Sequence, residues 1–117
     1  MSDTPIFMNP KLKEYHVDYL FDAILELRTK EECAKFFEDL CTVQELKAMS
    51  QRIQVAKMLS ENRIYSDIVQ QTGASTATIS RVNRSLQYGS DGYDIVFERL
   101  NEKAKAAQTP GKPKDEP

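Results

Sequence analysis

Residues 65–86 read YSDIVQQTGASTATISRVNRSL. Two short helical patterns, YSDIVQQ and STATISRVNRSLQ, hinge here on Thr72-Gly73-Ala74. Such spacing, over about residues 65–87, predicts a helix-turn-helix: two helices meeting steeply across a turn of three or four residues. Glycine suits the end of the first helix, where the backbone turns to positive φ. Ser75 is placed to cap the second helix. Ile68 and Val69 from the first helix, with Ile79, Val82 and Leu86 on one stripe of the second, supply a small core to hold the angle.

The opposite side of the second helix carries Ser75, Thr76, Ala77, Thr78 and Ser80, then Arg81 and Arg84. Small hydroxylated residues let a helix end approach base edges or phosphates. First-turn amides favour an anion, and arginine can meet a phosphate or a guanine with two donors. Charge distribution agrees. The whole chain is slightly acidic, with 16 Lys and Arg against 18 Asp and Glu. Between Leu46 and Tyr88, however, Lys47, Arg52, Lys57, Arg63, Arg81 and Arg84 face only Glu61 and Asp67, a local charge of +4 with −6 left elsewhere. A basic patch on an acidic protein is a local field that a polyanion meets. Arg63 and Arg84 are the expected phosphate anchors.

Outside this segment the chain repeats at helical period and shows no alternation long enough for a strand, so the fold class is all-α. Residues 1–10, with Pro5 and Pro10, read as a flexible arm. A domain over 11–107 follows, and the proline-rich and charged end, 108–117, has the composition of a disordered tail. Val17, Leu20, Phe21, Ile24 and Leu27 mark a first apolar face. Thr29 with Glu32 forms a capping box ahead of Cys33, Phe36, Phe37 and Leu40. A second box, Thr42 with Glu45, opens a longer helix through Leu46, Met49, Ile53, Ala56 and Leu59, interrupted at Asn62. Tyr93, Val96, Phe97 and Leu100 mark a last helix. Short connections and aromatic faces at Tyr15, Tyr19, Phe21, Phe36 and Phe37 suggest apolar surface for a symmetric partner to cover, a self-contained bundle being the alternative.

With 117 residues there is room for one domain of ordinary core. Two cysteines, Cys33 and Cys41, and one histidine, His16, fall short of a zinc ligand set and read as buried small side chains in the cysteines' case. No signal-peptide core and no apolar run near ~18 residues occurs, so the expectation is a cytoplasmic, nucleoid-associated protein that does not enter a membrane. No metal, no other cofactor and no catalytic constellation is expected.

From about Leu40 to Leu100, the run TGASTATISRVNRSL preceded by QELKAMSQRIQVAKML resembles the tryptophan repressor superfamily, most closely its YerC/YecD-like TrpR-related branch. The resemblance implies a six-helix subunit, an intertwined homodimer and binding of double-stranded DNA at a palindromic operator as a transcriptional repressor. It also implies a corepressor pocket, with the two arginines and the serine that hold an amino acid falling on Arg52, Arg81 and Ser85. Val82 stands where the tryptophan repressor has glycine, and its two methyl groups intrude on the floor that would take an indole. The first helix of the motif is one residue shorter as well. The expected small-molecule effector is therefore an amino acid other than tryptophan, or none. A protein-interaction module built on the same scaffold, without DNA binding, is the alternative from another functional class.

Overall fold

The computed structural model describes residues 9–108, all helical, turn or loop. A 3-10 helix, Pro10–Tyr15, precedes six α-helices: α1 Val17–Ile24, α2 Lys30–Leu40, α3 Val43–Ser60, α4 Tyr65–Thr72, α5 Thr76–Tyr88 and α6 Gly92–Gln108. The all-α expectation stands. Residues 1–8 and 109–117, most of the expected arm and tail, lie outside the described residues. The chain divides into two compact units, Met1–Lys47 and Ala48–Pro117.

In the first unit the helix ends are written in local chemistry. Asn9 caps the 3-10 helix by accepting the Lys11 N–H at 3.0 Å. Thr29 Oγ1 accepts the Glu32 N–H at 3.1 Å, while Glu32 Oε1 reaches back to the Arg28 N–H at 2.9 Å, one residue before the cap. The second box is fully reciprocal, Thr42 Oγ1 taking the Glu45 N–H at 3.1 Å and Glu45 Oε1 the Thr42 N–H at 2.8 Å. Two expectations are corrected here. The first helix stops at Ile24 rather than running to Leu27, because Glu26 and Leu27 donate to the carbonyls three residues back and tighten the chain out of α geometry. The cysteines are not buried: Cys33 is exposed and Cys41 half-buried. Neither α1 nor α2 has a buried residue, so their unit offers no interior to receive a thiol.

The second unit holds the core. Val55, Ala56 and Met58 of α3, Ile68 of α4, Ala74, Ile79 and Val82 at the turn and on α5, and Phe97 of α6 are buried together, with Leu59, Val69, Leu86 and Tyr93 packed against them. The α3 stripe is thus rotated from the expected one: Ala56 and Leu59 join the core, while Met49 and Ile53 remain 38% and 40% exposed. α3 ends in a Schellman motif. Asn62 adopts φ 63°, its N–H bonds the Leu59 carbonyl at 2.9 Å, and the Arg63 N–H bonds the Met58 carbonyl at 3.0 Å. Asparagine tolerates that left-handed conformation better than most residues, which is why the helix breaks at this position.

Candidate nucleic-acid interface

The turn between α4 and α5 is three residues long, Gly73 to Ser75, and each has a separate task. Gly73 sits at φ 74° and its N–H bonds the Val69 carbonyl at 2.9 Å, the single bond of a left-handed helix ending. A side chain here would have open space around it, with nothing nearer than 3.9 Å, so the requirement for glycine is conformational rather than steric. Ala74 is 2% exposed and plugs the turn into the core. Ser75 is extended, and its Oγ accepts the Thr78 N–H at 3.1 Å, capping α5.

Thr72 ties these parts together. Its hydroxyl donates to the Ile68 carbonyl at 2.7 Å and accepts the Ala74 N–H at 3.1 Å. Its carbonyl, an orphan acceptor at the end of α4, receives Gln51 Nε2 from α3 at 3.0 Å. Gln51 therefore fastens the turn to the long helix, a contact spanning 21 residues that nothing in the sequence pattern foretold.

On α5, Ile79 and Val82 are buried with 0% and 2% exposure, and Leu86 packs against the core. Ser75, Thr76, Ala77, Ser80, Arg81, Arg84 and Ser85 are exposed, and Thr78 is half-buried beneath its contact with Ser75. So the helix is divided as its sequence suggested: an apolar face locked in the core, and a small, hydroxylated and cationic face in solvent. The amides of Thr76 and Ala77 have no hydrogen-bond acceptor among the described residues, leaving the N-terminal turn open to an anion.

The local charge also resolves into parts. Lys57 pairs with Glu61 at 3.0 Å. Arg63 donates from Nε and Nη2 to one oxygen, Oδ2 of Asp67, at 2.9 and 2.7 Å. Those two pairs cancel, so the net +4 of the segment rests on Lys47, Arg52, Arg81 and Arg84, none of which has an ion-pair partner among the described residues. Arg63, expected as a phosphate anchor beside Arg84, is thus in a different electrostatic situation from it.

Of the expected pocket residues, Arg52, Arg81 and Ser85 are exposed. Val82 is not beside open space; it is a core residue. A cavity of about 440 Å³ does exist in this unit, but it is lined by Ile53, Gln54, Lys57, Met58, Gln71, Thr72, Phe97, Leu100 and Asn101, and includes none of the four expected residues. Among the described residues no three metal-binding side chains cluster, and no helix is long and apolar enough to cross a membrane.

Gln51 and Gly89 were not singled out in the sequence, and Asp67 figured there only in the charge balance. Gly89 ends α5, its N–H bonding the Ser85 carbonyl at 2.9 Å, and a Cβ there would collide with that carbonyl oxygen. The signal for it was a glycine immediately after a helical stripe.

Comparison with known proteins covers this whole arrangement. The family profile described as Trp repressor protein matches residues 15–101. The chain is 50% identical over 92 residues to the protein named "Uncharacterized protein YerC" of Bacillus subtilis (strain 168), covering 79% of this chain and 88% of that one. Among solved structures, a TrpR-like protein from Eubacterium eligens ATCC 27750 superimposes with a TM-score of 0.77 at 62% identity, over 80% of this chain and 96% of that chain. Another, from Staphylococcus aureus, gives 0.77 at 54% identity, over 81% and 95%. With its all-helical architecture and a profile match spanning three quarters of its length, the chain belongs to the Trp repressor family.

Proposed function

We propose that this protein is a sequence-specific DNA-binding transcriptional regulator, a repressor acting as a homodimer on a palindromic operator. Membership of the Trp repressor family supports the DNA-binding part of that reading. The observation that carries it is the division of α5: a buried stripe through Ile79 and Val82, and an exposed face of Ser75, Thr76, Ala77 and Ser80 followed by the unpaired Arg81 and Arg84. In this reading α4, the Gly73 turn and α5 are a helix-turn-helix with α5 in the major groove. The small N-terminal face discriminates bases, Arg84 neutralises phosphate, and the open amides at Thr76 and Ala77 bind a further phosphate oxygen.

The homodimer rests on a second observation. Neither α1 nor α2 has a fully buried residue, although they carry Tyr19 and Leu40 at 76 and 49% exposure. A second copy covers such surface without adding a new kind of partner, and twofold symmetry in the protein calls for a palindrome in the DNA.

For the effector, Arg52, Arg81 and Ser85 are reachable from solvent, so an amino acid can meet the two guanidinium groups through its carboxylate. Val82, locked in the core, gives an indole no floor to settle into, and the effector in this reading is not tryptophan.

Selection of bound duplexes from a random pool, repeated with each amino acid added, tests the proposal. Enrichment of a palindromic sequence supports it. Absence of any retained duplex at low salt replaces it with the protein-interaction reading, in which the hydroxylated face touches a protein.

A further inference from the structure

We infer that Asp67 masks Arg63, withdrawing one cation per subunit from the phosphate-binding surface and lowering affinity for DNA of any sequence. This rests on the DNA-binding reading above. Arg63 is held at both ends: its N–H closes the Schellman motif on the Met58 carbonyl at 3.0 Å, and its Nε and Nη2 converge on Asp67 Oδ2 at 2.9 and 2.7 Å. Asp67 lies in the first turn of α4, where the helix dipole favours a carboxylate, so the anion is kept in place independently of the arginine. Arg81 and Arg84 have no such partner among the described residues. The entry to α4 thus presents a matched pair while α5 presents bare charge.

The consequence is for specificity. Sequence-independent binding comes from phosphate neutralisation, and each neutralised phosphate adds about 0.9 to the slope of log affinity against log salt. A cation whose charge is already matched releases little counterion. Neutralising it inside the protein reduces binding to the large excess of wrong sites while leaving base contacts from the Ser75–Ser80 face untouched, and the ratio of specific to non-specific affinity rises. Asp67 is therefore a specificity-determining residue that need not touch DNA.

The test is a set of salt titrations with a mixed-sequence duplex, using wild type, Asp67→Asn, Arg63→Gln, the double variant and Arg84→Ala, each checked for helicity by circular dichroism. Asparagine keeps the shape of Asp67 and a hydrogen-bond acceptor for α4. Masking requires that Asp67→Asn binds several-fold more tightly, with a slope steeper by about 0.9 per subunit. It also requires that the double variant, in which a matched pair becomes a neutral one, binds like wild type, and that Arg63→Gln costs several-fold when added to the Asp67→Asn background. The double variant lowering affinity and slope as far as Arg84→Ala does would overturn it, as would weaker binding by Asp67→Asn. If wild type retains no duplex at low salt while its helicity is intact, the DNA-binding reading itself fails and takes the masking with it; that outcome is distinct from the other two.

Discussion

Ser80 and Arg84 stand one turn apart on the solvent face of α5, and they are expected to fail differently. Arg84→Ala removes a bare charge, so it should weaken binding to every duplex and lower the salt slope by about 0.9 per subunit. Ser80→Ala removes a hydroxyl near the helix start, so it should alter the ranking of sequences and leave the slope alone; a fluorescence titration over several salt concentrations separates the two. Gly73→Ala forces an L side chain to φ 74° and should cost about 1–2 kcal/mol in chemical denaturation, with no steric contribution. Gly89→Ala should cost more than Gly73→Ala, because the new Cβ collides with the Ser85 carbonyl oxygen and the end of α5 must shift. At this scale the sequence was informative where chemistry is local. Gly73, Ser75, Thr29 and Thr42 act on neighbours three or four residues away, and each was found where the pattern placed it. Asp67 entered the sequence reading only as one of two acidic residues in a charge balance, and such a balance does not record that it is bonded to Arg63, four residues back.

Elements were legible by period and less so by partner. α4, α5 and their turn followed from Ile68, Ile79 and Val82 spaced for one shared core. For α3 the expected stripe holds at Ala56 and Leu59 and fails at Met49 and Ile53, while Val55 and Met58 are buried beside it; choosing among several apolar stripes on a long helix needs knowledge of what packs on it. The Gln51 link from α3 to the Thr72 carbonyl was invisible for a similar reason, as long-range polar contacts leave no periodic trace. Gln51→Ala should strip the end of α4 of its acceptor's partner and destabilise the unit by about 1 kcal/mol. Because the bond holds the turn, hydrogen exchange should quicken at Gly73 and Ala74 before it changes at buried α3 positions such as Val55.

At the scale of the whole molecule, the core belongs to the second unit, where every buried residue among those described is found. α1 and α2 were predicted as amphipathic, and they are, but an amphipathic pattern states only that a face must be covered and not by which chain. Homodimer formation gives the expected outcome: a dimer by sedimentation at micromolar concentration, with a melting temperature that rises with protein concentration. A monomer whose α1 and α2 are fully helical would remove the symmetry argument for a palindromic site. The exposed Val96 and Leu100 of α6, at 44 and 53%, belong to the same expectation.

If the solvent face of α5 reads DNA sequence, selection of duplexes from a random pool by wild type and by Thr76→Ala and Ser80→Ala in parallel will show it. The expected result is a palindromic consensus for wild type, altered at defined positions by each variant. Recovery of unenriched sequence by all three proteins, or of the same consensus by all three, would contradict it.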